Sequence, residues 1–356
     1  MNTPLHDISV VEFAAIGPAP FVGMMLAGMG ARVIRVERPR PSALEQMVPR
    51  EYDIPARDRE LVTLDLKSPE GVEEALGLVA EADILLEGLR PGVMERLGLG
   101  PEACHALNPA LVYGRVTGWG QEGPLAQTSG HDINYLSLTG ALDAIGVAGG
   151  PPTIPLNLVA DYGGGGMLLA FGVVSALHQA RSTGRGSVVD AAMIDGVAQL
   201  MAGIQGMKQA GLWPESRGQN LLDGGAPFYC VYEASCGGYV AVGAIEPQFY
   251  AVMLDILDLD PADLPHQLDQ SRWPELRARL AERFKSQPRD HWADRFFGTE
   301  ACVTPVLAIG EVSRHPHHEA RTTYEERAGT LQPRPAPRIR SHGLNLEPHG
   351  VSRVLQ

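Results

Sequence analysis

The sequence predicts an α/β protein, with a large domain built on a Rossmann-like parallel sheet and a smaller α+β domain. Short apolar runs recur between helix-like segments over the first 190 residues, which is typical of parallel strands buried on both faces. A later segment changes character to a hairpin followed by helices. A length of 356 residues also favours about two domains of ordinary size.

The first βαβ unit starts near the N-terminus. Residues 7–13 (DISVVEF) and 31–37 (ARVIRVE) predict two strands. The helix between them opens at Gly17-Pro18, because a proline in the first helical turn loses no intrahelical hydrogen bond. Further strands are predicted at 83–87, 111–117 and 187–190, and further helices at 69–82, 163–181 and 191–201.

The smaller domain is predicted from an antiparallel hairpin. Its strands are residues 228–234 and 239–244, on either side of a glycine-containing turn, and helices are expected from about 248 and again from 273. The proline- and charge-rich tail predicts a return over the protein surface. The predicted division is a large domain at 1–190 completed by the return at about 328–356, a linker at 191–220, the small domain at 221–308 and a second linker at 309–327.

Composition and charge limit the kinds of partner that the protein is expected to bind. A formal net charge of −13 disfavours nucleic acid, whose phosphates need a basic face. No signal peptide is apparent, and the most apolar run, 167–177, is too short for a bilayer span, so no membrane partner is expected. The four cysteines have no C-x-x-C spacing, which favours reduced thiols and a cytoplasmic protein.

Several common chemistries fit the sequence poorly. Residues 14–23 (AAIGPAPFVG) lack the G-x-G-x-x-G fingerprint of dinucleotide binding, and Pro18 removes an N–H from the turn that would hold a pyrophosphate. No G-x-S-x-G elbow of an α/β-hydrolase occurs. The run HPHH at 315–318 lacks a further ligand at metal-site spacing, so a solvated loop is the better interpretation. No metal site is predicted.

Three cations follow predicted strands. Arg38 comes directly after the second strand, Lys67 after the strand-like LVTLDL, and Arg90 after DILLEGL. Ligands of parallel α/β sheets bind along the carboxyl edge, and arginine suits bidentate phosphate contacts. From the residues alone, a polyanion site and three ordinary surface cations are about equally favoured.

Two titratable side chains stand in glycine-rich settings. His131 lies in GHDINY, and Asp161 precedes four glycines in NLVADYGGGG. Taken singly, a structural histidine and a helix N-cap are the better interpretations. A backbone with so few side chains nevertheless lets a ligand approach closely, which favours a site at both segments.

Ten blocks of sequence, in order, carry a resemblance to a known family: VVEFAAIGPAPFVGMMLAGMGARVIRVERP, LDLKSPEG, LRPGVMERLGLGPE, TGWGQEGP, GHDINY, PLNLVADYGGGG, VVDAAMIDG, LDGGAPFY, YVAVGAIEPQFY and ACVTPV. Nearly end to end, the chain resembles the class III CoA-transferase superfamily and, within it, the α-methylacyl-CoA racemases. The resemblance implies an interlocked homodimer, an acyl-CoA substrate in which CoA is part of the thioester, and no prosthetic group.

The resemblance also implies roles for individual residues. His131 and Asp161 would exchange the substrate α-proton on opposite faces, Glu246 would orient or tune His131, and the backbone N–H of Asp132 would stabilise the enolate oxygen. Asn157 and Tyr135 are supporting candidates beside that pair. CoA contacts are implied at Ile16, Arg38, Lys67, Leu89 and Arg90. The acyl chain is expected to contact Met193, Met201, Met207 and residues 222–229, although ordinary core packing explains these equally well.

Two alternatives remain open at this point. A CoA-transferase of the same superfamily would use Asp161 as a nucleophile, but such enzymes lack the histidine of GHDINY. A binding protein that has lost catalysis would not need to retain the histidine and both acids. A two-base racemase suits the chemistry, because a thioester α-proton is weakly acidic and its removal needs a base, a stabilised enolate and an acid on the other face.

Overall fold

The computed structural model describes residues 3–41, 46–214 and 216–339. Within these ranges six strands form one parallel sheet in the order β3-β2-β1-β4-β5-β6. The strands are β1 Ser9–Phe13, β2 Arg32–Glu37, β3 Glu60–Thr63, β4 Ile84–Glu87, β5 Val112–Thr117 and β6 Ser187–Ala192. The α/β class and the parallel sheet are confirmed. The chain changes direction between β1 and β4, which opens a crevice at their carboxyl ends.

Helices cover both faces of the sheet, which explains why most residues of β1, β2, β4 and β5 are buried. One face packs against α1 and the long helix that precedes β6, and the other against α2, α3 and α4. The helices of this domain are α1 Pro18–Gly28, α2 Pro69–Ala80, α3 Val93–Arg96, α4 Pro101–Leu107, α5 Asp132–Leu138, α6 Ala141–Ala144, α7 Leu168–Thr183, α8 Met193–Leu200 and α9 Ala202–Gln209.

A wide helix of π type, Leu158–Met167, runs directly into α7. The predicted helix at 163–181 therefore begins five residues earlier, and Asp161 lies inside it instead of at its N-cap. The glycine run packs tightly: a Cβ on Gly164 would stand 2.9 Å from the Met193 carbonyl oxygen, and one on Gly166 would stand 2.7 Å from Phe21. The glycines themselves therefore allow the close approach of α8 and α1.

The wide helix and α7 together make a 26-residue helix, long and apolar enough by length and composition to cross a membrane. The apolar run at 167–177 is thus part of a longer helix than the sequence predicted. One side of the helix packs on β5 and β6, and 39% of its most apolar window is buried. The outer side exposes Met167, Phe171 and Val174.

The sheet packing extends past the predicted domain boundary at residue 190. Strand β6 continues to Ala192, and Met193 and Val197 of α8 are buried in the core of the large domain. The helix predicted at 191–201 is confirmed as α8, and a further helix, α9, follows from Ala202. Residues 191–200, predicted as the start of a linker, thus belong structurally to the large domain.

The smaller domain has its own core, with Phe228, Phe284 and Trp292 fully buried. Its strands form an antiparallel sheet in the order β7-β8-β9, and the predicted hairpin of β7 and β8 is confirmed. The elements are β7 Tyr229–Glu233, β8 Tyr239–Gly243, α10 Pro247–Ile256, α11 Trp273–Lys285, α12 Arg289–Phe296 and β9 Val303–Pro305.

The chain then returns to the large domain. After α13, Pro316–Arg321, a hairpin of β10 Tyr324–Arg327 and β11 Thr330–Pro333 packs beside the loop that precedes β3. Arg327 pairs with Asp58 at 2.6 Å, and Arg57 donates to the side chain of Gln332 at 2.9 Å. The return begins by residue 324, inside the predicted second linker. Residues 340–356 of the predicted return lie outside the described ranges.

Candidate active site

A cavity of about 700 Å³ opens at the carboxyl ends of β1, β4 and β5. The structure brings five of the predicted residues to its wall, and the supporting candidates Asn157 and Tyr135 line it as well. The five are Ile16, Leu89, Arg90, His131 and Asp161. The cavity lies at the crevice where parallel α/β sheets usually bind ligands.

His131 stands at the N-terminal end of α5. Its backbone N–H donates to the Asn134 side chain at 3.0 Å, which fixes the start of the helix. The residue is exposed, so its imidazole is open to a ligand. The helix keeps its first N–H groups, beginning with that of Asp132, free of intrahelical partners.

Asp161 is half-buried on the wide helix and faces the turn before α1. The Asn157 side chain donates to its carboxylate at 3.2 Å, and a Cβ added to Gly17 would stand 3.5 Å from the same oxygen. Burial raises the pKa of Asp161, and the charge of Asp132 raises it further, whereas the Asn157 bond and His131 lower it. A carboxyl group with a raised pKa is better suited to carry a proton near neutral pH.

Asp132 is buried, and its side chain has a structural role that the sequence did not predict. One carboxylate oxygen, Oδ2, accepts hydrogen bonds from the backbone N–H groups of Ala160 and Asp161, both at 2.8 Å. The side chain therefore ties the start of α5 to the start of the wide helix. The only signal available in the sequence was its position next to His131.

Glu246 does not line this cavity. It precedes α10 in the small domain, is exposed, and lies close enough to Cys302 that burial and the Glu246 charge together raise the pKa of that thiol. Part of the segment predicted to contact the acyl chain, Asp223 to Gly225 with Tyr229, lines a different cavity of about 1250 Å³, which small-domain residues form together with Val147 and Ala148. Within one chain, these predicted residues are separate from the histidine and aspartate.

The three methionines predicted to contact the acyl chain lie in different parts of the structure. Met193 lines the cavity, whereas Met201 packs against the large-domain core and Met207 lies on α9. Of these three methionines, only Met193 therefore lines the same cavity as His131 and Asp161.

The three predicted cations line three different depressions. Arg90 faces the cavity that His131 and Asp161 line, and it donates to Ser129 at 2.7 Å. Arg38 lines an adjoining cavity of about 630 Å³, and Lys67 lines a groove beside α2. The three cations are spread along the sheet edge, because β1 separates the strands that precede Arg38 and Arg90, and strands lie about 4.8 Å apart. A ligand contacting all three would have to extend along the sheet edge.

A buried charge cluster beneath the cavity was missed by the sequence analysis. Glu12 is fully buried and accepts from Arg35 at 2.6 Å and from Arg59 at 2.9 Å. Arg35 lines both the cavity beside His131 and Asp161 and the adjoining one that Arg38 lines. The charged positions within the apolar strands SVVEF and RVIRVE were the available signal, since unpaired charges are rarely buried.

A second buried acid supports the wall of the cavity. Glu87 ends β4 and accepts from the Leu89 backbone N–H at 2.7 Å and from Arg115 at 3.0 Å. Burial raises the pKa of Glu87 to about 7 despite these two partners. The carboxyl group thereby holds the segment that carries Leu89 and Arg90.

No group of three side chains suited to hold a metal ion is found among the described residues. The histidines at 315–318 lie at the start of α13, where the rings of His315 and His318 contact each other.

Comparison with known protein families identifies the family to which the chain belongs. The profile of CoA-transferase family III matches residues 5–348. The chain belongs to CoA-transferase family III. This membership confirms the resemblance inferred from the ten sequence blocks.

Relatives in the family carry two kinds of activity in their names. The chain is 45% identical to alpha-methylacyl-CoA racemase of Mus musculus and 44% identical to that of Homo sapiens, in both cases over 94% of this chain and 86% of the relative. It is 29% identical to acetyl-CoA:oxalate CoA-transferase of Acetobacter aceti, over 93% and 87%. A crystal structure of a CAIB/BAIF family protein from Brucella suis superposes with a TM-score of 0.80 at 27% identity, covering 95% of this chain and 93% of that one.

Proposed function

We propose that the protein racemises 2-methylacyl-CoA thioesters by moving the α-proton from one face of the α-carbon to the other through an enolate. The observation that carries the proposal is the placement of His131 and Asp161 on one cavity at the carboxyl edge of the sheet. The markedly higher identity to the named racemases than to the named transferase supports the same conclusion.

Each side chain of the pair has a defined step. One removes the α-proton as a general base, and the other returns a proton to the opposite face, so that the two exchange roles for the two enantiomers. The negative charge that develops on the thioester oxygen is stabilised by the Asp132 backbone N–H in the first turn of α5. The raised pKa of Asp161 suits a group that must both accept and release a proton.

The CoA part of the substrate lies along the sheet edge. Arg90, with Ile16 and Leu89, contacts it beside the catalytic pair, and Arg38 and Lys67 lie farther along the same edge. The reaction uses only side chains and backbone N–H groups of this chain, and CoA enters as part of the thioester.

The active form is an interlocked homodimer in which the small domain of one subunit closes the cavity of the other. Glu246 and the segment around Tyr229 lie away from the catalytic cavity of their own chain, so a second subunit is needed to bring them to His131. The exposed apolar side of α7, with Phe171 75% exposed, supplies a surface for such an association. We place this dimer in the cytoplasm.

The proposal is tested by separating proton exchange from acyl transfer. His131→Ala and Asp161→Asn are compared with the matched controls His317→Ala and Asp263→Asn, which change exposed residues outside the cavity. The parent and both controls should interconvert (R)- and (S)-2-methylacyl-CoA without an acceptor acid, and the two site variants should lose this activity. Acyl exchange between carboxylic acids, lost only in Asp161→Asn, would instead identify a CoA-transferase with Asp161 as nucleophile.

A further inference from the structure

The buried carboxylate of Asp132 lies between the segments that carry the two proposed proton carriers. Asp132 directly follows His131 and is 6% exposed. Its Oδ2 atom accepts from the backbone N–H groups of Ala160 and Asp161, at 2.8 Å each. This one oxygen atom therefore joins the start of α5 to two residues of the wide helix, which lie 28 and 29 positions after Asp132 in the chain.

The two N–H groups need this acceptor. Ala160 and Asp161 are the third and fourth residues of the wide helix, Leu158–Met167. In a helix of π type each N–H reaches five residues back, so the first five N–H groups have no intrahelical partner. The Asp132 side chain supplies the missing acceptor, while its own backbone N–H remains in the first turn of α5.

We infer that the Asp132 carboxylate is a positioning residue for racemisation, which sets the spacing between His131 and Asp161 and the balance of charge between them. The inference rests on the two-base function proposed above. It assigns to the side chain a role separate from that of the Asp132 backbone N–H.

The second oxygen of the carboxylate adds an electrostatic effect. Oδ1 of Asp132 is buried, and no described residue donates a hydrogen bond to it. The charge of Asp132 acts on Asp161 and on the Tyr135 hydroxyl. His131 and Arg90 lie on the same cavity wall, where His131 acts on Asp161 and Arg90 acts on Tyr135. A charge so little compensated acts on its neighbours, and it contributes to the raised pKa of Asp161 after burial.

Two variants separate the positioning effect from the charge. Asp132→Asn keeps an oxygen acceptor of the same shape but removes the charge. Asp132→Ala removes both, and Asp263→Asn is the control because Asp263 is an exposed aspartate in a short turn of the small domain. Four quantities are measured for the parent and the three variants: kcat, KM, the ratio of α-proton exchange to inversion in D₂O, and the pH profile of kcat/KM. Rates are normalised to the amount of folded protein.

Positioning predicts a specific set of changes. Asp132→Ala should lower kcat roughly 100-fold, the effect of a displacement of about 1 Å between reacting groups, with KM little changed. Its exchange-to-inversion ratio should rise, because a base that still reaches the α-carbon returns the proton to the same face. Asp132→Asn should lower kcat about tenfold and move the acidic limb of the profile to lower pH, since Asp161 loses a negative neighbour.

A purely structural role predicts a different result. If Asp132→Asn lowers only the melting temperature, and its kcat, exchange ratio and pH profile match those of the parent per folded protein, the inference is overturned. If Asp132→Ala does not fold, Asp132→Asn decides the question alone. If the parent catalyses no α-proton exchange, the two-base function itself has failed; if the parent racemises and Asp132→Asn behaves identically, only the positioning role has failed.

Discussion

Replacing Glu87 by glutamine should change how the stability of the protein depends on pH. Glu87 is 1% exposed at the end of β4, and burial raises its pKa from 4.5 to about 7. The folded state therefore retains a proton between pH 4.5 and 7 that the unfolded chain releases. Stability from this group is complete below pH 4.5 and is lost as the pH rises to about 7. One pH unit corresponds to about 1.4 kcal/mol, so the loss totals about 3 kcal/mol.

The glutamine side chain cannot ionise, so Glu87→Gln lacks this dependence. The new amide would keep one acceptor for the Leu89 N–H, and Arg115 would retain its ion pair with Glu95 at 2.9 Å. Urea unfolding of parent and variant is measured every half unit from about pH 5 to pH 8, and the difference in unfolding free energy is plotted. Over this range the unfolding free energy of the parent should fall by about 2 to 3 kcal/mol relative to that of Glu87→Gln. A difference that does not vary with pH would refute the assignment of a raised pKa to Glu87.

Three further predictions concern packing, binding and assembly. Gly164→Ala should lower the unfolding free energy measured in urea by about 1–3 kcal/mol, because the new Cβ would stand 2.9 Å from the Met193 carbonyl oxygen. The control Gly77→Ala on α2 places its Cβ in open space and should be neutral or stabilising. Arg90→Ala should raise the KM for acyl-CoA about tenfold with little loss of kcat, and an unchanged KM would contradict its CoA contact. Phe171→Asp should yield an inactive monomer by light scattering, and an active dimer would exclude α7 from the subunit interface.

The sequence predicted the sheet well because its signal is local. Buried parallel strands such as Ile84–Glu87 are apolar on both faces, and their bounds differ from the predicted ones by only one or two residues. The hairpin of β7 and β8 was recognisable from the glycine turn between two apolar runs.

The wide helix could not be predicted in the same way. Four consecutive glycines weaken a helix by intrinsic propensity, so the pattern favoured a start after Asp161. Tertiary packing reverses this preference, because only glycine allows α8 to cross so closely that a Cβ on Gly196 would stand 1.9 Å from the Gly164 carbonyl oxygen. Such a contact depends on residues more than thirty positions apart.

The candidate site could be predicted only in part, because some of its contacts join distant parts of the chain. His131 and Asp161 each follow an informative local pattern, and the chain brings them to one cavity. The side-chain bonds of Asp132 join distant backbone groups, which no local pattern encodes. The separation of Arg38 from Arg90 follows from strand order, since β1 lies between β2 and β4. Glu246 lies apart from the pair, and its proposed role depends on a second subunit.

The most direct test of the central claim is deuterium incorporation at the α-carbon of separate (R)- and (S)-2-methylacyl-CoA samples in D₂O, followed by NMR and chiral analysis. A two-base racemase should label both enantiomers, and both samples should converge on the same mixture of (R) and (S) products without any acceptor acid. Absence of α-deuterium in both samples, with thioester formation once a carboxylic acid is added, would contradict the account.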